Sequence, residues 1–295
     1  MDKLVSVIIT THERDKNILK RAIDSVLCQS YSNIEIIVVN DAPDYSKRND
    51  IEKLITSYSN IKYILNSTNP GACGSRNLGI KSAKGDIIAL LDDDDTFEVN
   101  KIERMITYFE NNVGLVYCNI NQIQNGKNIK SKKLNFYEND AFEKLHYFNF
   151  IGGCSVPIML KEVFEKVGYF DESLPSAQDI DMWIRIAEVY NVKYCNEFLV
   201  NYYISDIAIT TNPDRRLNGW KIILNKYDDF FSKNMEAKSI WQNCIIELLL
   251  QHSRYREAIT YYMNSYHGIE KLLQSKTILR GFAKNAQMKI GVRNR

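Results

Sequence analysis

Ile87-Ile88-Ala89-Leu90-Leu91-Asp92-Asp93-Asp94-Asp95 sets five apolar residues directly before four carboxylates. An unbroken apolar run of this length reads as a strand buried on both faces, the mark of a parallel sheet. The carboxylates then stand just past the carboxyl end of that strand. Adjacent carboxylates repel one another and need a cation or full solvation to stay ionised. Mg2+ and Mn2+ favour oxygen ligands, and take one or two carboxylates together with substrate phosphates and water. A solvated turn or a helix cap suits a single Asp. Four of them behind a buried strand point to a metal or phosphate role.

Working outward, residues 4–9, 34–39 and 61–65 are further short runs rich in Val and Ile. Between the first two, Ile18, Leu19, Ala22, Ile23, Val26 and Leu27 follow helical spacing. A second helix is expected over 51–58, and a third runs from the Asn69-Pro70-Gly71 turn to about Lys81. Alternation of strand and helix predicts a doubly wound sheet, whose ligands bind beyond the strand carboxyl ends. That rule gathers Thr10, His12, Arg14, Asp41 and the acidic run onto one rim.

Further along, 115–120 reads as a strand and 124–133 as a lysine-rich loop or hairpin. Gly152-Gly153 opens a segment leading to a helix over 163–167 and the turn Gly168-Tyr169-Phe170-Asp171. A helix over 179–189 follows. From about 222 the pattern is helical, with Ile245, Leu248, Leu249 and His252 on one face.

Bulk composition narrows the classes. A net charge of +2 across 295 residues excludes a whole-molecule electrostatic nucleic-acid binder. Cys28, Cys73, Cys118, Cys154, Cys195 and Cys244 stand singly, so no zinc knuckle or disulfide framework is implied. Neither a signal peptide nor an apolar run of about 18 residues occurs, and a cytoplasmic protein is expected.

Two enzyme classes use such an acidic segment. In a nucleotide-sugar transferase, Asp-x-Asp holds the metal that bridges the donor diphosphate. In an aspartyl-phosphate hydrolase, Asp92-x-Asp94-x-Thr96 would supply Asp92 as nucleophile. That hydrolase motif normally ends the first strand of its domain, whereas three strand candidates precede it here.

Five ordered segments resemble inverting family 2 glycosyltransferases of the GT-A fold. They are Val5-Ser-Val-Ile-Ile-Thr-Thr-His-Glu-Arg14, Ala22-Ile-Asp-Ser-Val-Leu-Cys-Gln-Ser-Tyr31 and Ile36-Ile-Val-Val-Asn-Asp41. Asn69-Pro-Gly-Ala-Cys-Gly-Ser-Arg-Asn-Leu-Gly79 with Ala83-Lys-Gly-Asp86 follows, and then Leu91-Asp-Asp-Asp-Asp95 with Lys101-Ile-Glu103. Together they cover about the first 105 residues.

The resemblance implies that Thr10, His12 and Arg14 lie against the nucleotide and that Asp41 accepts from the uracil edge. It makes Arg76 a nucleotide-contacting arginine. Asp94 becomes the ligand of Mn2+ or Mg2+, with Asp92 at the ribose or the metal. Asp93 and Asp95 tune the site or meet donor hydroxyls, or Asp95 caps the next helix. In Gln178-Asp179-Ile180-Asp181-Met182-Trp183, Asp179 matches the family's base. Gln178 stands where the family has an acid, and removes a charge that would raise the Asp179 pKa. Asp181 suits a helix N-terminus by its charge. Gly152-Gly153 implies close approach of sugar or acceptor.

The expected organisation is a GT-A α/β domain over 1–205, mostly parallel in its sheet, with a helical extension over 206–295. Its expected activity is hexosyl transfer from a UDP-sugar to a saccharide acceptor linked to polyprenyl diphosphate, in surface polysaccharide assembly. The phosphohydrolase and a non-catalytic nucleotide-sugar-binding protein are the rivals. Residues 276–295 hold Lys276, Arg280, Lys284, Lys289, Arg293 and Arg295 without an acid. Leu279, Phe282, Ala283, Ala286 and Ile290 keep helical spacing there. Such a segment lies on anionic lipid at the inner face of the plasma membrane, or packs on the protein.

Overall fold

A computed structural model describes residues 3–68, 70–137, 139–204 and 212–266. The chain forms two compact units, residues 1–173 with 178–206, and 174–177 with 207–295.

The first unit begins with strict alternation: β1 (Val5–Thr11), α1 (Lys16–Leu27), β2 (Ile34–Asn40), α2 (Arg48–Thr56), β3 (Ile61–Leu65), α3 (Ala72–Ser82) and β4 (Ile87–Asp92). The four strands pair in parallel in the order β3-β2-β1-β4. The apolar runs of β1, β2 and β4 are buried because helices cover the sheet, whereas β3, at the sheet edge, is only half-buried. Leu19, Ala22, Ile23 and Val26 form the buried stripe of α1, whose N-cap Asp15 accepts from the Asn17 N–H at 2.8 Å. On α3, Gly79 lies so close to the sheet that a Cβ would collide with Ile8 Cγ2.

Beyond β4 the order of elements changes: β5 (Thr96–Phe97), α4 (Lys101–Ile106), β6 (Val113–Gln124), β7 (Lys127–Lys132), α5 (Ala141–Leu145), β8 (Ile158–Leu160), α6 (Lys161–Val167), α7 (Gln178–Val189) and β9 (Asn191–Tyr203). The sheet continues from β4 as β8-β6-β9-β5, with β7 paired to β6. Strand β8 runs antiparallel to both neighbours, and β6 and β9 are parallel. The expected strand over 115–120 is thus part of a longer one. Segment 124–133 makes a hairpin whose turn residues, Asn125 and Gly126, both take positive φ.

In the second unit, α8 (Pro213–Lys226), α9 (Asp228–Lys233), α10 (Met235–Gln251) and α11 (Tyr255–Ser265) follow one another. Asn212 caps α8 by accepting from the Asp214 and Arg215 N–H groups. Leu217, Ile245, Ile246, Leu248, Leu249 and Ala258 make its core. His252 departs from the expected apolar face: it is exposed and lies one residue beyond α10, where the helical spacing has ended. The basic segment 276–295 lies outside the described residues. Among those described, no helix is long and apolar enough to cross a membrane.

Candidate active site

Sheet register builds the rim. Thr10 pairs with Val39 on one side and with Asp92 on the other, and Thr11 pairs with Asn40. The chain therefore leaves β1, β2 and β4 at one level. Beyond β1, His12 Nδ1 and Asp41 Oδ1 are 2.7 Å apart. The other Asp41 oxygen accepts from the Gly71 N–H at 2.8 Å. Gly71 has φ +116°, a conformation that disfavours a side chain, and it opens α3. One buried carboxylate thus ties the loops after β1 and β2 to the start of α3.

The acidic run divides by direction. Asp92 and Asp94 are about a third exposed, whereas Asp93 and Asp95 are buried. Asp93 accepts from Arg14 Nε at 2.8 Å, and the same guanidinium reaches Asp94 at 3.1 Å. Arg21, on α1, donates to the Asp94 carbonyl at 2.6 Å and lies 3.5 Å over the Tyr203 ring. Asp95 turns away from the rim and accepts from the Tyr203 N–H. It caps no helix, because α4 begins several residues later behind Asn100. Burial raises the carboxyls of Asp93 and Asp94, with Arg14 pulling both back, and raises Asp95 well above the ordinary range.

Asp179 is the second residue of α7. Its Oδ2 accepts from Asn149 Nδ2 at 2.8 Å, and Asn149 is itself held by both polar backbone groups of Gly152. The Trp183 indole donates to the Gly152 carbonyl as well. Burial raises the Asp179 carboxyl above its usual value. Gln178, in place of a second acid, accepts from Arg76 at 3.3 Å. Arg76 also donates to Asp92 at 2.8 Å, so one buried guanidinium spans the acidic run and the start of α7. Asp181 does not simply face the helix dipole. It is fully buried and pairs with Arg185, which also donates to the carbonyls of Val167, Gly168 and Tyr169.

Several site residues escaped sequence reasoning. Ser155 Oγ accepts from the Asp92 N–H at 3.0 Å. Behind it Lys101, fully buried, donates to the Ser155 and Val156 carbonyls and sits 4.0 Å over the Phe97 ring. Arg21 adjoins the family-like segment Ala22–Tyr31, and Lys101 opens another, Lys101-Ile-Glu103. Nothing in the periodicity marks Asn149 or Ser155. Gly152-Gly153 signals their loop, although Gly152 serves Asn149 and Trp183 through its backbone.

Two oxygen-rich, partly exposed side chains, Asp92 and Asp94, suit Mg2+ or Mn2+ by donor type. Among the described residues no group of three or more His, Cys, Asp or Glu stands ready as a ligand set. Two carboxylates leave room for phosphate oxygens and water, which is how Mg2+ is commonly held.

A parallel half-sheet ending on an acidic rim, a mixed second half and a late helix bearing an acid define the GT-A architecture. The chain belongs to glycosyl transferase family 2, whose model matches residues 6–168. It is 37% identical over 223 residues to an uncharacterised glycosyltransferase of Rickettsia typhi, covering 71% of this chain and 66% of that one. It is 30% identical over 228 residues to WfgD of Escherichia coli, a UDP-Glc:alpha-D-GlcNAc-diphosphoundecaprenol beta-1,3-glucosyltransferase, covering 75% and 86%. The matched part spans about two thirds of two Rickettsia relatives and a third of others. Among solved structures, the mannosyltransferase PcManGT of Pyrobaculum calidifontis, in complex with GDP-Man and Mn2+, has a TM-score of 0.63. It shares 14% identity, over 98% of this chain and 83% of that one. TarS 1–349 of S. aureus, in complex with UDP-GlcNAc, has a TM-score of 0.60 at 14% identity, over 96% and 81%. At these identities the likeness shows the fold. Family membership leaves the phosphohydrolase reading of Asp92 without support.

Proposed function

We infer that this protein transfers a hexose from a UDP-sugar to a hydroxyl of a saccharide linked to polyprenyl diphosphate, with inversion, in polysaccharide assembly. The observation that carries this reading is the Arg76 bridge. It joins Asp92, on the acidic rim, to Gln178, the neighbour of Asp179. The groups assigned in this reading to the donor and to the base are thereby joined by one side chain within the first unit. The E. coli relative's name adds support for the donor and acceptor classes.

In this reading Thr10, His12 and Asp41 take the nucleoside, and Arg14 and Arg76 lend positive charge where a diphosphate arrives. Asp94 and Asp92 would hold the divalent metal, which supplies Lewis-acid stabilisation of the departing diphosphate. Asp93 acts by fixing Arg14. Asp179 accepts the acceptor's hydroxyl proton as that oxygen attacks the anomeric carbon, opposite the leaving group. Asn149 and Gly152 orient the carboxylate. Residues 1–205 carry this chemistry, and the basic segment 276–295 brings the enzyme to the inner membrane face. Deleting 276–295 without loss of vesicle binding would remove that last element.

A thermal-shift panel of UDP-, GDP- and dTDP-sugars, with and without Mn2+, tests the donor. Stabilisation by UDP-sugars, and only with metal, is expected. A response to GDP-sugars alone would move the donor to that class, and silence throughout would defeat the reading. Metal-dependent UDP binding without transfer to any lipid-linked acceptor, unchanged by Asp179→Asn, would favour the non-catalytic binding protein.

A further inference from the structure

Asn149, whose amide holds Asp179, stands between two members of a longer row of rings. Phe150 is buried, and Phe148 is 38% exposed. Tyr137 packs across both, 5.8 Å from Phe148 and 5.0 Å from Phe150. From Phe150 the row continues to Tyr117 at 5.7 Å, to Tyr194 at 5.1 Å and to Phe136 at 5.6 Å. Phe136 is 51% exposed. The row starts beside the partner of Asp179 and surfaces where β6 and β9 run together.

At its outer end lies an open depression lined by Phe136, Tyr194, Asn135, Asn196 and Lys133. The Tyr194 ring is fixed there. Its hydroxyl lies 2.6 Å from Asn119 Oδ1 and 3.0 Å from Asn196 Oδ1, and Tyr117 and Phe136 pack close to the ring. A ring already held loses little freedom when a ligand arrives. Exposed aromatic area beside amides and an ammonium group has the mixed character of a sugar. The C–H face of a pyranose packs on the ring while its hydroxyls meet the polar groups. An acyl chain would cover the same rings but also strip water from the exposed Lys133, Asn135 and Asn196, at a cost.

We propose that the exposed outer end of this row, Phe136 with Tyr194, is a subsite for the acceptor saccharide, holding a sugar unit behind the one that offers its hydroxyl to Asp179, while the buried Tyr117 and Phe150 brace it from within. The proposal rests on Asp179 as base, and gives the acceptor more than one sugar unit. Phe136 stacks on a unit remote from the reacting one, so it governs acceptor affinity and leaves donor binding alone.

The test is saturation-transfer NMR on the full chain with mono- and tetrasaccharides of glucose, galactose, mannose, rhamnose and N-acetylglucosamine. At least one tetrasaccharide should bind and its monosaccharide should bind far more weakly. Phe136→Ala should weaken that tetrasaccharide by roughly fivefold, the scale of one aromatic contact. Phe136→Trp should retain it, and UDP binding with Mn2+ should be unchanged in both. Absence of tetrasaccharide binding to wild type, or equal binding by Phe136→Ala, overturns the subsite. So does a Phe136→Ala defect confined to phosphatidylglycerol vesicles, which would make the row a membrane contact. Failure of the base reading is separate: Asp179→Asn would then leave transfer intact while the saccharide result stood.

Discussion

A carboxylate that takes a proton from a sugar hydroxyl must first be ionised, so with Asp179 as the proposed base its pKa would set the acid limb of the rate profile. The usual aspartate value is 3.8, and burial raises Asp179 above it. Transfer should therefore fall as pH drops through a midpoint above 3.8, measured as kcat/KM against pH. Asn149→Ala removes an amide donor to the ionised form. Its acid limb should move to higher pH, and an unmoved limb would refute that orienting role. Asp179→Asn should lower kcat by about two to four orders of magnitude with donor affinity retained. The acidic run shows how setting alone separates equal residues. Asp92 and Asp94 stay partly exposed, while Asp93 and Asp95 are spent on Arg14 and on the Tyr203 backbone.

Elements place those residues only as well as they seat on the sheet. Helix α3 carries Arg76 and rests on β1 and β2 at Gly79, where an added methyl would meet Ile8. Gly79→Ala should cost about 1–3 kcal/mol in urea denaturation through overpacking. Donor affinity should fall with it, because Arg76 rides on the same helix. On α4, burial pulls the Lys101 ammonium down from 10.5 to about 8. Between those values the unfolded chain holds a proton that the folded chain has released. Lys101 thus makes stability rise with pH across that window. Lys101→Met should abolish this rise while weakening the hold on Ser155. A denaturation series from pH 7 to about 11 would reveal it, and identical slopes in both proteins would contradict it.

At the scale of the whole molecule, a ligand that binds only the folded state stabilises it by mass action. Donor and metal at about a hundred times Kd add about 2.7 kcal/mol. For a unit of this size that corresponds to roughly 5–10 °C in Tm. The shift belongs to the transition of the first unit, since every proposed donor contact lies there. Asp94→Asn should lose the metal-dependent part of it, and an unaltered shift would take Asp94 out of the ligand set.

The sequence by itself determined the strands of the parallel half, the rim on which they end and the chain positions of the acids. Apolar runs, turn residues and their order are local properties, and the sheet rules convert them into a rim. The antiparallel β8 and the full length of β6 and β9 were not readable, because their pairing is long-range and their runs are irregular. Tertiary structure alone decided which carboxylates of residues 92–95 face outward and what holds them. Those choices come from contacts between distant residues: Arg14 with Asp93 across 79 positions, Asp92 with Ser155 across 63, and Arg76 with Gln178 across 102. No periodicity in a chain encodes a pairing at that separation. It appears only when burial leaves each polar group one partner within reach.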